Sequence, residues 1–125
     1  IKNFIKNKLK KLFPKSFGLI SIHRHENIKN RERLSKIVEI LSSLTIPSSL
    51  TLHDNTKNQL IKFGLYEKLK SNKNIKIISP IDYENFIWQI KNCSLVVCDG
   101  GSMQEESLIF QKPCIILRKN TVSTI

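Results

Sequence analysis

Residues 94–118, with the sequence SLVVCDGGSMQEESLIFQKPCIILR, constrain the fold of this chain more than any other segment. An apolar run, Leu95–Cys98, is followed by an acid, two glycines and a stretch of helical periodicity that starts at Ser102. Pro113 is expected to stop that helix, and a second apolar run covers Cys114–Leu117. The segment therefore predicts a strand, a glycine turn, a helix and a second strand.

The turn Gly100-Gly101-Ser102 has two interpretations. Glycines let a backbone approach a ligand closely, and the first free N–H groups of a helix bind anions. Glu105 and Glu106, one turn into the helix, can accept hydrogen bonds from sugar hydroxyls, so a phosphate at the turn and a ribose beside the helix fit the pattern. The alternative is a tight turn with an N-cap serine and solvated acids.

Apolar runs alternate with helical patterns along the chain, whose 125 residues predict one domain over 1–125. The expected strands are Phe17–Ile22, Ser48–Leu52, Ile75–Ile78, Leu95–Cys98 and Cys114–Leu117. The expected helices are Lys2–Leu12, Ile28–Leu44, Lys57–Phe63 ended by Gly64, Tyr83–Ile90 and the one from Ser102. This alternation predicts an α/β fold: a three-layer, Rossmann-like domain with a mostly parallel sheet covered on both faces.

Charge and hydropathy argue against two kinds of partner. The net charge of +11 invites a nucleic-acid role, but Lys, Asn and Ile are spread together along the chain and aromatic residues do not interleave with the basic ones. We therefore expect no nucleic acid. No apolar run approaches the roughly 20 residues that cross a bilayer, so no membrane insertion is expected. The basic Lys2–Leu12 helix is expected to be solvated, with an acidic membrane surface as the alternative.

The cysteines indicate the redox environment of the protein, and the first residue bears on where the chain begins. Cys93, Cys98 and Cys114 are odd in number and form no CxxC motif, so we expect reduced thiols, no metal site and a cytoplasmic location. The chain starts at Ile1 without a methionine, and we expect it to be a piece of a longer protein.

Polar residues gather where the expected strands end. In open α/β sheets, ligands bind beyond the carboxyl ends of the strands. The residues at those ends are His23 to Asn27, His53 to Asn55, Pro80, Asp99 to Ser102, and Arg118. Together they favour an anionic ligand that takes part in hydrogen bonds.

Each of these residues also has a purely structural interpretation. His23 could cap the following helix, and Arg24 could form a surface ion pair that contributes almost nothing. His53 could be a buried histidine bonded to backbone, and Arg118 could extend its side chain from the sheet edge. Phe86 would suit either the core or the wall of a pocket for a flat base.

Four segments in series resemble motifs of the UDP-N-acetylglucosamine 2-epimerase family. HRHEN at 23–27, followed by Arg33-Leu34, is similar to H-R-x-E-N…R-L, and LHDNT at 52–56 is similar to V-H-x-N-P. Residues 78–118 resemble the stretch P-x-x-Y-x-x-F…D-S-G-G-x-Q-E-E…G-K-P…L-R. The motifs follow one another in the family's order and with similar spacing.

The resemblance implies a two-domain, GT-B-type fold of which this chain is the C-terminal, UDP-binding half. The family inverts C2 of UDP-N-acetylglucosamine to give UDP-N-acetylmannosamine, a precursor of surface polysaccharides, by eliminating UDP to a glycal intermediate; some members hydrolyse instead. The acid–base carboxylates come from the N-terminal half, which is absent here, so we expect the 125 residues alone to be inactive. The resemblance implies a UDP-sugar substrate, no cofactor and a homodimer for the full protein.

By position, the resemblance also implies roles for single residues. His23 would lie near the diphosphate as the catalytic candidate of this half. The phosphates would bind the backbone N–H groups of the turn, and Glu106 would accept from the ribose. The UDP-binding residues implied in this way are Ile81, Phe86, Gly100, Gly101, Ser102, Glu106 and Arg118. Arg24 and His53 lie where some bacterial members bind a second, regulatory UDP-sugar.

Two departures from the family pattern keep other functions open. The chain has Gly100-Gly101-Ser102 where the family usually has Ser-Gly-Gly. It also has Val122 and Ser123 after Thr121, where the family reads T-E-R, so an arginine that would contact phosphate is missing. The alternative function is the nucleotide-binding half of a GT-B glycosyltransferase, and a basic α/β module that binds RNA or an acidic surface is a third.

Overall fold

The computed structural model describes residues 10–11, 16–80, 82–117 and 122–124, with the backbone alone at residues 102 and 122–124. Within these ranges the strands are β1 (Gly18–Ser21), β2 (Ser48–Thr51), β3 (Ile75–Ile78), β4 (Leu95–Cys98), β5 (Cys114–Leu117) and β6 (Val122–Thr124). The helices are α1 (His25–Ile28), α2 (Arg31–Ser42), α3 (Asp54–Lys62), α4 (Tyr66–Lys70), α5 (Tyr83–Asn92) and α6 (Ser102–Ile109).

The strands form one sheet in the order β3-β2-β1-β4-β5-β6. The first five are parallel to their neighbours, and β6 adds to β5 in the antiparallel direction. The α/β class with a mostly parallel sheet is confirmed, and the antiparallel β6 is an addition to the predicted strands. Because the chain runs outward from β1 to β3 and then returns to β4, the strand order reverses between β1 and β4.

Alternate residues of each strand face opposite sides of the sheet and form two apolar layers. On one side, Ile20, Leu50 and Val97 pack with the buried faces of α2, α3 and α4. On the other side, Leu19 and Val96 pack with α5 and α6. The sequence located all five parallel strands: β4 and β5 are the continuous apolar runs expected of strands covered on both faces, whereas β2 begins with two serines and β3 contains Lys76.

The predicted helix over Ile28–Leu44 is wrong in its N-terminal part, where the structure has two helices. α1 ends at Ile28, and α2 begins at Arg31 after Asn30. The Asn30 side chain accepts a 2.9 Å hydrogen bond from the Arg33 backbone N–H, an N-cap that starts α2 afresh. Apolar periodicity cannot detect such a break because the two helices keep the same buried side.

Two helices end in left-handed residues, of which one was predicted. Gly64 follows α3 with a φ of 72°, as expected for a glycine that terminates a helix. α6 ends at Ile109, before the predicted stop at Pro113, because Gln111 adopts a φ of 55° and Lys112 N–H bonds the Ser107 carbonyl at 2.8 Å. The short helix α4 was not predicted.

The rest of the chain adds two observations. Of the predicted Lys2–Leu12 helix, only residues 10 and 11 are described, and both are helical. Among the described helices, none has the length and apolar character that would let it cross a membrane.

Candidate functional site

The candidate site lies at the carboxyl ends of β1 and β4, where the strand order reverses. Ser21, near the end of β1, pairs with Cys98 at the end of β4. The two following loops, which begin with Ile22 and Asp99, therefore start side by side. This is the position at which open α/β sheets bind their ligands.

A buried carboxylate joins the two loops. Asp99 is 2% exposed, and its Oδ2 accepts hydrogen bonds from the backbone N–H of His23 at 2.8 Å and of Arg24 at 2.7 Å. The side-chain amide of Asn27 donates to the same oxygen at 3.2 Å. The other oxygen, Oδ1, lies 3.2 Å from Nδ1 of His23. The loop after β1 is thus held by the first residue after β4.

Asn27 extends this connection to the next strand and the next helix. It is fully buried, and besides Asp99 its amide donates to the Leu117 carbonyl at 3.3 Å, at the end of β5. Its Oδ1 accepts from Nε of Arg33 at 3.0 Å. One side chain therefore ties the loop after β1 to β4, to β5 and to the first turn of α2.

The glycine turn leads directly into α6. Gly100 has a φ of 103° and Gly101 a φ of 79°, values that side-chain-bearing residues rarely adopt. Gly101 is the N-cap of α6 and offers no side chain to its N–H groups. A ligand can therefore accept hydrogen bonds from the helix N-terminus, which carries a partial positive charge.

Arg24 adds a full positive charge beside this turn. A Cβ atom on Gly100 would lie 3.3 Å from Nη2 of Arg24 and 3.5 Å from Oε1 of Gln104. Arg24 also lies 3.7 Å from Glu26, so the predicted surface pair exists, with both side chains about half exposed. The guanidinium thus borders the open face of a turn whose backbone favours anions.

A second cluster lies farther along α6. Glu106 accepts a 3.1 Å hydrogen bond from the hydroxyl of Tyr83, at the start of α5. This bond, together with the negative charge of Glu106, raises the pKa of Tyr83. The ring of Phe86 lies 6.3 Å from that of Tyr83 and packs partly against the core. An acceptor and two aromatic rings therefore stand together at one end of the site.

The two histidines predicted at this edge also meet. The rings of His23 and His53 are 6.2 Å apart. His53 is exposed at the N-cap of α3, so the alternative of a buried histidine is wrong. Arg24, not His23, occupies the N-cap of α1, and no side chain caps that helix, so the capping role for His23 is wrong as well.

The three thiols are free and buried. Burial raises the pKa of Cys93 to about 11. Cys98 and Cys114 have their sulfur atoms 3.7 Å apart, and the hydrogen bond between them raises the pKa of Cys98 and lowers that of Cys114. Across the described ranges, no cluster of three His, Cys, Asp or Glu residues is arranged to hold a metal ion.

Most of the predicted site residues that the structure describes fall at one edge of the sheet. His23, Arg24, His53, Gly100 and Gly101 surround the β1–β4 junction, and Phe86 and Glu106 form the second cluster. Ile81 and Arg118 lie outside the described residues, and only the backbone of Ser102 is described, as the first residue of α6.

Sequence reasoning missed the contacts of three residues. The sequence placed Asp99 and Asn27 only among the polar residues at the strand ends, and Tyr83 only at the start of an expected helix. The available signal was position: each stands at a strand end or a helix start on the ligand side of the sheet. Their contacts span 23 to 90 residues of sequence, which no local pattern reveals.

The fold and the site define a class of protein. A doubly wound sheet with a glycine turn, a helix N-terminus and an arginine at its switch point is the arrangement of a Rossmann-like nucleotide-binding domain. Residues 1–123 match the family described as UDP-N-acetylglucosamine 2-epimerase. The chain belongs to this family, and the resemblance drawn from its motifs is confirmed.

Individual relatives agree with the family. The chain is 45% identical over 109 residues to the UDP-N-acetylglucosamine 2-epimerase of Methanocaldococcus jannaschii, covering 84% of this chain and 30% of the relative. It is also similar to a crystal structure of the M. jannaschii UDP-GlcNAc 2-epimerase in complex with UDP-GlcNAc and UDP. That match has a TM-score of 0.85 at 39% identity and covers 94% of this chain and 33% of the other. The chain thus spans about a third of the length of the relatives it matches.

A more distant likeness concerns the fold alone. An Escherichia coli heptosyltransferase bound to an ADP-heptose analogue matches with a TM-score of 0.57 at 9% identity, over 80% of this chain. The GT-B type of fold is thereby shared between the epimerases and a glycosyltransferase.

Proposed function

We propose that this chain is the UDP-binding part of a sugar-nucleotide 2-epimerase that interconverts UDP-N-acetylglucosamine and UDP-N-acetylmannosamine. The observation that carries the proposal is the glycine turn at the N-terminus of α6 with the Arg24 guanidinium against it. Membership of the family supports this choice of nucleotide and sugar, and the turn supports a diphosphate at this position.

The diphosphate would accept hydrogen bonds from backbone N–H groups of Gly100, Gly101 and Ser102. The partial positive charge of the helix terminus and the guanidinium of Arg24 favour an anion there. His23 faces the same region from the end of β1 and would contact the diphosphate. Arg118 would add a second guanidinium from the end of β5.

The nucleoside would lie along the Tyr83–Glu106 side. The Glu106 carboxylate has lone pairs beyond the one that Tyr83 occupies, so it can accept from ribose hydroxyls as well. The ring of Phe86 and the backbone at Ile81 would frame the uracil. Arg24 and His53 would form part of a second UDP-sugar site, as the family resemblance suggests.

Epimerisation at C2 removes a proton from one face and returns one on the other, which requires positioned acid–base groups. We propose that an N-terminal domain supplies the carboxylates for these steps and that the 125 residues alone bind UDP without turnover. The complete protein would be a cytoplasmic homodimer that requires no cofactor and makes precursors of surface polysaccharides.

Calorimetric titration with UDP, with ADP as the control nucleotide, tests the binding proposal directly. We expect the chain to bind UDP and not ADP, and Glu106→Ala to abolish the heat. Glu105→Ala is the matched control: the sequence offered both acids as ribose acceptors, but the proposal assigns this contact to Glu106 beside Tyr83, so replacement of the exposed Glu105 on the same helix should leave UDP binding unchanged. Equal binding of both nucleotides, or loss with both variants alike, would contradict the proposal.

The glycosyltransferase alternative rests on Val122 and Ser123, which replace the family's T-E-R. It predicts that the complete protein transfers a sugar only when an acceptor is supplied, whereas an epimerase needs none. The RNA-binding alternative predicts affinity for mixed RNA that falls steeply with salt. Uridine selectivity that persists in moderate salt would exclude it.

A further inference from the structure

Asp99 is the most deeply buried carboxylate of the candidate site. Its side chain has no exposed surface, and an ionised carboxylate in such a place requires hydrogen-bond donors or a counter-charge. Oδ2 has three donors, namely the backbone N–H groups of His23 and Arg24 and the amide of Asn27. These bonds account for one of its two oxygens.

The second oxygen, Oδ1, faces the ring of His23. Nδ1 lies 3.2 Å from it, within ion-pair distance, and among the described residues this buried oxygen has no hydrogen-bond partner of good geometry, so the ring nitrogen is the group placed to satisfy it. A ring nitrogen can stand this close to a carboxylate favourably only if it carries the proton. A proton on Nδ1 of neutral imidazole leaves Nε2 as an acceptor, so the carboxylate selects the tautomer.

The rest of the His23 ring is directed away from the carboxylate. The side chain of His23 is 53% exposed even though Nδ1 contacts a fully buried group. The exposed part is therefore the opposite edge, which carries Nε2. Asp99 immediately precedes Gly100, so a ligand at the glycine turn would lie beside the Asp99–His23 pair.

We propose that Asp99 is a positioning residue: its carboxylate keeps a proton on Nδ1 of the His23 imidazole, so that the ring can carry a second proton on Nε2 and donate it to a diphosphate bound at the glycine turn. This deepens the proposed function and rests on it for the identity of the ligand. Acting through another residue, Asp99 touches neither substrate nor the reacting atoms. The pairing resembles the aspartate–histidine part of a catalytic triad, where the carboxylate fixes the tautomer and orientation of the ring.

The fold makes this arrangement rigid. The same carboxylate that orients the ring also anchors the backbone of His23 and Arg24, so the ring and its loop have one support. Asp99 is continuous with the turn that would bind the phosphates. The distance between the ring and the ligand is therefore set by one short stretch of backbone at the end of β4.

Asp99→Asn gives a specific expectation. The amide oxygen must take the place of Oδ2, because the backbone N–H groups of His23 and Arg24 and the amide of Asn27 require an acceptor there. The amide NH₂ group then takes the place of Oδ1 and donates to Nδ1 of His23. Nδ1 must become the acceptor, and the proton moves to Nε2, the wrong tautomer.

Nitrogen-15 NMR of the imidazole rings in the 125-residue chain measures this tautomer directly. Spectra are recorded without ligand in alkaline buffer, where imidazoles are neutral. The chain has three histidines, so His25→Gln and His53→Gln identify the His23 signals by elimination. We expect Nδ1–H for His23 in the unmodified chain and Nε2–H in Asp99→Asn.

Asp54→Asn is the matched control. Asp54 is an exposed acid near the end of β2, at the same edge of the sheet, and its replacement should leave the tautomer of His23 unchanged. An Nε2–H tautomer in the unmodified chain overturns the proposal even if Asp99→Asn does not fold. An Nδ1–H signal that survives in folded Asp99→Asn overturns it as well.

UDP titration separates this proposal from the function on which it rests. If both hold, Asp99→Asn weakens UDP binding roughly tenfold, because its amide NH₂ group opposes a proton on Nδ1 and so prevents the charged imidazolium from donating to the diphosphate; tenfold is the lower range for a hydrogen bond to a charged group. If the tautomer is as expected and UDP does not bind, the proposed function fails and the Asp99–His23 pair stands. If UDP binds and the tautomer is Nε2–H, the function stands and the positioning role fails.

Discussion

The hydroxyl of Tyr83 donates a 3.1 Å hydrogen bond to the carboxylate of Glu106 and thereby joins the start of α5 to the middle of α6. Tyr83 is 67% exposed, so this bond lies at the surface of the candidate site rather than in the core. The bond restrains the carboxylate of Glu106 before any ligand arrives. A preorganised acceptor loses less conformational entropy when a ribose hydroxyl binds to it.

The Tyr83–Glu106 bond can be tested by spectrophotometric titration of the phenol. Glu106 stabilises the protonated hydroxyl, so the pKa of Tyr83 is raised, and Glu106→Gln should lower it towards the ordinary value of about 10. The chain has two tyrosines, and Tyr66→Phe removes the other signal. Glu105→Gln should leave the titration unchanged; an equal effect of both variants would show that the hydrogen bond does not raise the pKa.

Replacement of Gly101 in the glycine turn should reduce both the stability of the fold and the affinity for UDP. Gly101 combines a φ of 79° with a ψ of −146°, a region that is essentially restricted to glycine, so Gly101→Ala should destabilise the fold by about 1–3 kcal/mol. UDP binding should be lost as well, because the backbone N–H groups that would bind phosphate are displaced. Urea unfolding and calorimetry measure the two effects.

Gly64→Ala is the control for backbone strain. Gly64 has a φ of 72° and open space around an added Cβ, as Gly101 does, but it ends α3 away from the turn. Its replacement should destabilise the fold by about 1–2 kcal/mol and leave UDP affinity unchanged. If Gly64→Ala weakened UDP binding as much as Gly101→Ala, loss of stability rather than loss of the turn would explain both.

Replacement of Asn27 should destabilise the fold more than replacement of Asn30, the asparagine that precedes α2. Asn27→Ala leaves Nε of Arg33 without its acceptor and removes a donor from Asp99, which we expect to destabilise the fold by about 2–3 kcal/mol. Asn30→Ala removes only the N-cap of α2 and should destabilise it by about 1 kcal/mol. Only Asn27→Ala should also weaken UDP binding, and equal effects of the two variants would contradict the central role of Asn27.

Cys93 predicts a loss of stability at alkaline pH. Burial raises the pKa of its thiol to about 11, whereas the pKa of a thiol in an unfolded chain is about 8.5. As pH rises, the unfolded chain loses this proton first, so the stability present below about pH 8.5 declines as pH approaches 11. The urea unfolding midpoint of Cys93→Ala should therefore decrease less between about pH 8 and about pH 10 than that of the unmodified chain.

Other groups also titrate in this range, but their contribution is common to both chains and cancels in the comparison. Cys93→Ala is expected to be less stable at about pH 8, because it leaves a small cavity. The decisive quantity is the difference between the two pH dependences. If the unfolding midpoints of the two chains decreased equally with pH, folding would not raise the pKa of Cys93, and the prediction would be wrong.

The sheet could be predicted from the sequence because its strands carry their own signal. Leu95–Cys98 and Cys114–Leu117 are apolar throughout, Ile75–Ile78 is apolar except for Lys76, and the structure has strands with these bounds. Strands covered on both faces need no polar alternation, so each is visible as a short apolar run between polar loops. The glycine turn was visible for a similar reason, since two glycines before a helix are a local pattern.

The supporting contacts of the site could not be predicted in this way. The bonds from Asp99 to the loop after β1 cross 75 and 76 residues of sequence, and those of Asn27 reach to β5. Such contacts depend on strand order and register, which periodicity does not report. The break before Asn30 was hidden because α1 and α2 bury the same side, so a single apolar pattern continues across it.

The junction of β1 with β4 has a consequence for any division of this chain. A cut in the polar loop before β3 would leave His23 and Arg24 on one piece and Asp99, the glycine turn and Glu106 on the other. Neither piece would contain the complete candidate site, and the buried Asp99 carboxylate would lose its donors. Ligand binding at this junction would then require both fragments together. Recovery of binding when the two fragments are mixed would indicate fragment complementation.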